Sequence, residues 1–235
     1  MSDKLVALTP SLHNRLRFLP NADYSFAKKT HFCPVLLSEV FAAALNYPIV
    51  FPLGDEVILP QMVLSVRPGV NPSVADDGQW VGSYLPRMFR HYPFTLVPDS
   101  STGKGLVMFR ENAVHFCDEG KLLYVKRGDN YAPSPLLNQI KAALTSFDAE
   151  AEKTSALCRL LQNAKVLRDA GIKLDVAGEQ KTVRGFAAVD WQKVIELDDV
   201  TLANWTRNGL IQLCLLYTSP SPRDIIAHLV FRILL

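Results

Sequence analysis

The chain has 235 residues, of which 49% are hydrophobic, and its 25 basic and 23 acidic side chains leave a formal net charge of +2. The length allows one domain or two small ones, and the hydrophobic content excludes wholesale disorder. General binding to nucleic acid or to an anionic membrane normally needs a basic excess on one face, so the balanced charge argues against both.

Compartment and membrane topology follow from the same composition. The N-terminus lacks a basic region followed by an apolar one, so no secretory signal is predicted. The longest apolar segment, residues 35–53, is interrupted by polar residues and prolines and does not predict a membrane span. Cys33, Cys117, Cys158 and Cys214 are scattered, as is typical of buried thiols in a reducing compartment. We therefore expect a soluble cytoplasmic protein.

The first half of the chain reads mostly as short strands. Alternating or β-rich runs predict strands at 5–8, 15–19, 49–51, 57–66, 94–97, 105–110, 114–117 and 122–125. Between them, apolar residues at helical spacing predict a helix over 35–45. We interpret the strands as one antiparallel sheet.

Turn residues are densest between residues 66 and 94. Pro68-Gly69 predicts a type II turn, and Asp77-Gly78 predicts a turn between two short antiparallel strands. Pro86 fits the first turn of a helix and Pro93 disfavours its continuation, so residues 87–91 form about one helical turn. In that turn Arg87 shares a face with Arg90 and His91, whereas Met88 and Phe89 are expected to point inward.

The second half predicts helices and one hairpin. Ser134-Pro135 is a strong helix start, and the following apolar stripe could extend to Asp169 with a kink or break at 148–154. Residues 172–176 and 182–188 are predicted to form a hairpin, and Asp190 or Asp198 to cap a short helix, the second reaching Arg207. The fold class is α+β: a single domain in which a twisted antiparallel sheet from the first ~125 residues is covered by one long helix and several short ones.

A candidate ligand- or partner-binding site lies in and beside the turn-rich stretch. Arginine forks suit carboxylates or phosphates, and aromatic rings supply stacking faces. The residues with this potential are Arg67, Trp80, Tyr84, Arg87, Arg90 and His91. The alternative is structural, because the arginines could instead pair with Asp76, Asp77 or backbone carbonyls and fix irregular loops.

A metal site is a second alternative. His31-Phe32-Cys33 and His115-Phe116-Cys117 repeat one tripeptide, and on a strand each pair would face one side. Together the four side chains could form a tetrahedral zinc site, although zinc sites usually use tighter local spacing and the cysteines could simply be buried. We predict no cofactor and identify no catalytic residue, since neither a nucleophile elbow nor a phosphate-binding loop is present.

Several motifs together resemble those of the bacterial SapC family. The matching positions are His31, Pro34, Glu39, Phe41, Tyr47-Pro48-Ile49-Val50-Phe51, Arg67-Pro68-Gly69, Asn71, Asp77-Gly78-Gln79-Trp80, Tyr84-Leu85-Pro86 and Arg90-His91-Tyr92-Pro93-Phe94. The resemblance extends over about residues 5–213. It implies an association with bacterial surface layers and envelope-linked gene clusters, often beside TonB-dependent receptors, and brings no established reaction.

Two functions are compatible with these features. The first is a non-catalytic accessory or binding protein that works with a protein partner from envelope or uptake machinery. The second is an enzyme or small-ligand-binding protein whose site is assembled from residues 80–91.

The C-terminus departs from this resemblance. We predict a SapC-like domain over residues 1–213 and a tail without function over residues 214–235. The string that follows Leu213, Cys214-Leu215-Leu216-Tyr217-Thr218-Ser219-Pro220-Ser221-Pro222-Arg223-Asp224, resembles translated sequencing-adapter read-through seen in metagenomic assemblies. The alternative is a genuine Ser/Pro linker before a final apolar segment.

Overall fold

A computed structural model describes residues 4–20, 23–54, 59–65, 67–98, 105–176, 179–216 and 231–234. The strands are β1 (Leu5–Ala7), β2 (Arg17–Phe18), β3 (Phe32–Pro34), β4 (Ile49–Pro52), β5 (Gln61–Val63), β6 (Phe94–Pro98), β7 (Gly105–Arg110), β8 (Lys121–Leu122), β9 (Tyr124–Arg127), β10 (Asn130–Pro133), β11 (Leu167–Val176), β12 (Glu179–Val189) and β13 (Phe231–Leu234). The helices are α1 (Pro10–His13), α2 (Val40–Ala44), α3 (Arg87–Arg90), α4 (Pro135–Asn163), α5 (Trp191–Ile195), α6 (Asp199–Arg207) and α7 (Leu210–Leu216), with a 3-10 turn at Ser25–Ala27.

The chain forms two compact units. The first comprises residues 1–28, 74–81 and 87–149, and the second comprises residues 29–73, 82–86 and 150–235. The long helix α4 therefore contributes residues to both units. This division was not predicted from the sequence, which favoured a single domain.

The first unit is built on small antiparallel sheets. Strands β1, β7 and β6 form one sheet, while β9 pairs with β10 and β2 pairs with β8. Its core contains buried side chains of these strands, of residues that adjoin them and of the first half of α4: Leu8, Phe18, Phe94, Val107, Phe109, Leu123, Tyr124, Leu137 and Leu144. Burial of these apolar side chains is the main term that stabilises the unit.

The second unit contains the largest sheet, in which six strands follow the order β13-β11-β12-β4-β5-β3. The β11–β12 hairpin is its longest ladder and has an irregularity between Ala170 and Gly171. This hairpin confirms the predicted one and extends it at both ends, although Ala177 and Gly178 of the predicted turn lie outside the described residues.

The α+β class is confirmed, but the arrangement of strands differs from the prediction. The described strands form four sheets rather than one. Residues 114–117 form no strand, because local turn bonds occupy their backbone: Phe116 N–H donates to Ala113 O at 3.1 Å and Gly120 N–H donates to Cys117 O at 3.1 Å.

The long helix begins as predicted and ends earlier. The Ser134 hydroxyl accepts a hydrogen bond from Leu137 N–H at 3.2 Å, which caps the first turn. The helix is continuous through residues 148–154 and ends at Asn163, not at Asp169. Lys165 has a φ of +56°, a left-handed conformation that ends the helix before β11 begins.

The predicted helix over 35–45 is reduced to α2, Val40–Ala44. Side chains hold the preceding residues in a loop: Leu37 N–H donates to Thr154 Oγ1 at 3.1 Å, and Ser38 N–H donates to Glu150 Oε1 at 2.9 Å. Both acceptors lie on α4, so tertiary contacts overrode the helical periodicity.

Candidate binding surface

The six predicted site residues are divided between the units. Trp80, Arg87, Arg90 and His91 belong to the first unit, whereas Arg67 and Tyr84 belong to the second. Each group is therefore described with its own surroundings.

Trp80 lies at the end of a tight turn. Gly78 has a φ of +86°, its N–H donates to Ala75 O at 3.0 Å, and Val74 pairs with Trp80 in an antiparallel bridge. A Cβ added at Gly78 would lie 2.5 Å from a carboxylate oxygen of Asp23, so the close approach and the φ angle both require glycine. The turn predicted at Asp77-Gly78 is thus confirmed.

The half-buried Trp80 ring contacts an aromatic cluster. Its centroid is 6.0 Å from that of Tyr24 and 5.6 Å from that of Phe89. Phe26 is 5.8 Å from Phe89 and stacks on Tyr92 at 3.6 Å. Tyr24, Phe26 and Tyr92 were not predicted as site residues, because no local spacing connects residues 24–26 with residues 80–92.

The side chains of helix α3, which follows Pro86, differ in their exposure. Phe89 is buried, whereas Arg90 is exposed and Arg87 is half-buried. The prediction that Met88 points inward is wrong, since its side chain is 46% exposed. A helix of four residues buries only one side, and Phe89 occupies it.

Arg87 and His91 flank Phe147 of α4. The Arg87 guanidinium lies over the Phe147 ring, 5.9 Å from its centroid, and the His91 ring meets Phe147 edge-on at 5.0 Å. Burial, together with the charges of Arg87 and Arg90, lowers the pKa of His91 to about 4. The imidazole is therefore neutral near pH 7, and its Nε2 has no hydrogen-bond partner among the described residues.

The positive charge of Arg90 influences Tyr24. Burial raises the pKa of the Tyr24 hydroxyl, and the electrostatic effect of Arg90 partly opposes that shift. Arg90 also follows Phe89, whose ring contacts Trp80. Arg90 therefore lies on the same short helix as the buried Phe89 ring that Trp80 contacts.

Tyr84 belongs to a buried polar network in the second unit. Its hydroxyl donates to Glu39 Oε1 at 2.7 Å, and its carbonyl accepts from the Tyr47 hydroxyl at 3.2 Å. Glu39 is only 3% exposed, and its Oε2 also accepts from Leu36 N–H at 3.3 Å. A Cβ added at Gly82 would lie 2.6 Å from the Tyr47 hydroxyl oxygen, so this segment packs closely. These contacts fix Tyr84 within the second unit, and its role in binding stays a prediction.

Arg67 occupies the predicted type II turn. Gly69 has a φ of +72°, and Val70 N–H donates to Arg67 O at 3.3 Å. The Arg67 backbone N–H donates to the Ser65 hydroxyl at 3.1 Å, and the arginine side chain is exposed. The role of Arg67 in binding stays a prediction.

The zinc alternative gains no support from the geometry. Within the described ranges, which include His31, Cys33, His115 and Cys117, no three His, Cys, Asp or Glu side chains are grouped so that they could hold a metal ion. Cys33 is fully buried, and burial raises the pKa of its thiol, which disfavours the thiolate that zinc binds. His31 precedes β3, and residues 115–117 form no strand.

The fold and surface define an α+β protein with a cationic one-turn helix beside an aromatic cluster. A family model, SapC, matches residues 8–219, and the chain belongs to the SapC family. The match continues past Leu213, and α7 also crosses that position with Cys214 fully buried, so the boundary between residues 213 and 214 stays a prediction.

Comparison with curated proteins and comparison with solved structures give no match. Among the helices of the described residues, none is long and apolar enough to cross a membrane.

Proposed function

We propose that this SapC-family chain is a non-catalytic accessory protein that binds a protein partner through its Trp80 surface, defined as Trp80, Val81, Met88 and Arg90. The observation that carries the proposal is the half-buried Trp80 ring, which contacts the buried rings of Tyr24 and Phe89. The exposed Arg90 follows Phe89 in the chain. Tryptophan and arginine are the residues that most often dominate the binding energy of protein interfaces.

Exposed apolar side chains support the same reading. Val81 is 62% exposed and Met88 is 46% exposed. They are the chain neighbours of Trp80 and Phe89, whose rings lie 5.6 Å apart. An apolar surface beside a cation and an anchored indole has the composition of an interface core rather than of an ordinary solvated face.

The partner's class comes from the family resemblance. That resemblance implies an association with surface-layer, envelope or TonB-dependent uptake systems, so we propose a component of such machinery as the partner. A cytoplasmic location is part of the same proposal. Cell fractionation with an antibody to the chain tests the location separately from the binding.

The binding test is affinity capture from a bacterial lysate with mass spectrometry of the bound proteins. The Trp80→Ala/Arg90→Ala variant should lose a partner that the parent retains in stoichiometric amounts. Arg127→Ala, an exposed arginine on β9 of the same unit, is the matched control and should retain it. Equal capture by all three proteins, or a lost protein unrelated to envelope or uptake machinery, contradicts the proposal.

A second function, small-ligand binding or catalysis at residues 80–91, is favoured by one observation. His91 is held neutral, and its buried Nε2 has no hydrogen-bond partner among the described residues. Mass spectrometry of the same captured sample separates the two functions. A retained small molecule without a protein partner favours the second.

A further inference from the structure

The six-stranded sheet of the second unit carries a cation on a mainly apolar face. Arg168 of β11 is half-buried, and its Nε is buried without a hydrogen-bond partner in the part of the chain that the structure describes. Such a donor is costly to leave unpaired, and native proteins usually satisfy it. We propose that Arg168 binds the carboxylate of a small organic acid, whose apolar part packs on the rings of Phe32 and Phe186.

The ladder between β11 and β12 fixes the neighbours of Arg168. Arg168 pairs with Ala188, and Ala170 pairs with Phe186. Paired residues, and residues two positions apart, share one face of a sheet, so these four side chains lie on the same face. Phe186 is the diagonal neighbour of Arg168, at a separation of about 7 Å that long side chains span. The two alanines beside Arg168 carry no acceptor in their side chains.

The same face continues across the sheet to β3. Phe186 pairs with Pro52 of β4, and the ladders from β4 through β5 to β3 place Phe32 on this face. The ring centroids of Phe32 and Phe186 lie 5.5 Å apart, with an interplanar angle of 58°. Phe186 is buried and Phe32 is half-buried, so Phe32 is the more accessible ring of the pair.

A second unsatisfied polar atom lies beside these rings. The centroid of the His31 ring is 4.8 Å from that of Phe32, and the His31 Nδ1 is buried with no hydrogen-bond partner among the residues described. Each ring of the Phe32–Phe186 pair thus has a neighbour that retains hydrogen-bonding capacity. Apolar area with a few polar groups around it is the composition of a small-molecule site.

The buried Nε favours a small acid over a group on a large partner. A guanidinium donates through a planar fork that matches the two oxygens of a carboxylate. An acceptor that reaches the buried Nε must leave water, and apolar contact with the rings offsets that cost. The site lies within the second unit, so the inference does not depend on the Trp80 surface, which belongs to the first.

The test uses 4-phenylbutyrate and its uncharged amide, 4-phenylbutanamide. Nitrogen-15 NMR of the arginine Nε–H groups follows Arg168, proton NMR of the imidazoles follows His31, and the variants Arg168→Gln and His31→Gln assign the two signals. The acid should shift both signals saturably and bind about 10-fold more tightly than the amide, the preference expected for one hydrogen bond to a charged group. Equal affinities, or a shift at Arg168 without one at His31, would overturn the inference.

Variants of Arg168 decide whether the preference belongs to this side chain, with binding followed at the His31 signal. Arg168→Gln should bind acid and amide equally, and Arg168→Lys should keep part of the preference because the charge remains without the fork. Arg159→Gln replaces an exposed arginine on α4 in the same unit and should keep the full preference. An acid preference that survives in Arg168→Gln refutes the site.

The ring contact is tested with Phe32→Leu, which keeps an apolar side chain at a half-buried position. This variant should weaken the binding of acid and amide by the same factor, about 5-fold, because the ring contributes to both. Circular dichroism of the variant is the control for folding. Unchanged affinities in the folded variant would show that the probe does not pack on these rings and would overturn the inference.

Discussion

His91 makes the folded protein sensitive to acid. Its pKa is about 4 when folded, against 6.5 for an ordinary histidine, because burial and two arginines disfavour the imidazolium. The unfolded chain therefore binds the proton more readily between these values. The contribution of the neutral imidazole to the free energy of unfolding is fully present above pH 6.5, and it is lost as the pH falls towards 4. For this partly exposed group we expect a loss of about 1–2 kcal/mol from pH 7 to pH 4.5.

The check is urea unfolding of the parent and of His91→Leu at both pH values. The variant should lose less stability on acidification, because leucine takes up no proton in either state. His115→Leu is a second comparison, since burial also lowers the pKa of the fully enclosed His115. An identical acid loss in the parent and in His91→Leu would show that the His91 imidazole is not held neutral.

Local chemistry predicted the turns at single residues but not their surroundings. Gly69 and Gly78 adopt the positive φ angles that their turns required, and Pro86 precedes the helical turn of Arg87 and Arg90. Turn geometry depends on adjacent residues, so the local sequence is sufficient to predict it. The contact between the Trp80 and Tyr24 rings joins residues that lie 56 positions apart in the sequence, and no periodicity predicts such a contact.

At the level of elements, α2 shows why a helical pattern can be overruled. The periodic apolar residues from 35 to 45 predicted a helix, yet residues 36–39 form a loop that side chains of Glu39, Glu150 and Thr154 satisfy. Ser134, by contrast, predicted the start of α4 correctly, because capping uses neighbours in sequence. Contacts between distant elements were the part that the sequence could not reveal.

Thr154 should therefore stabilise the second unit more than a helix-surface threonine does. Its hydroxyl accepts from Leu37 N–H at 3.1 Å and donates to Glu150 O at 2.8 Å, and the residue is 1% exposed. Thr154→Val keeps the shape but leaves the Leu37 N–H without its acceptor, at a cost of about 1–3 kcal/mol.

The measurement is the free energy of unfolding in urea, with Thr145→Val as the matched control. Thr145 lies on the same helix and is exposed, so its replacement should change stability by less than about 0.5 kcal/mol. If the two variants are equally stable, the bond from Leu37 to Thr154 contributes nothing measurable to the fold.

For the whole molecule, the class of fold was predictable and its division was not. Short β-rich runs separated by turn residues and one long amphipathic segment indicate α+β regardless of how the strands pair. Pairing is nonlocal: β12 joins β4 across more than a hundred residues of sequence, which builds a six-stranded sheet from both ends of the chain. A sheet predicted from the first part of the chain alone could not include β11 and β12.

The same division makes the role of the C-terminal tail testable. All four residues of the Trp80 surface, Trp80, Val81, Met88 and Arg90, belong to the first unit, whereas α7 and β13 belong to the second. A chain ending at Leu216 keeps α7 whole and loses β13, the outermost strand beside β11. Because β11 keeps its long ladder with β12, we expect the truncated chain to remain folded with a less stable second unit.

Binding by the truncated chain should be unchanged. Capture of the protein partner is expected to match that of the full chain, since no residue of the Trp80 surface is removed. Circular dichroism of both chains provides the control for folding. A truncated chain that is folded but captures several-fold less of the partner would assign the tail a role in binding and would contradict the prediction that residues 214–235 carry no function.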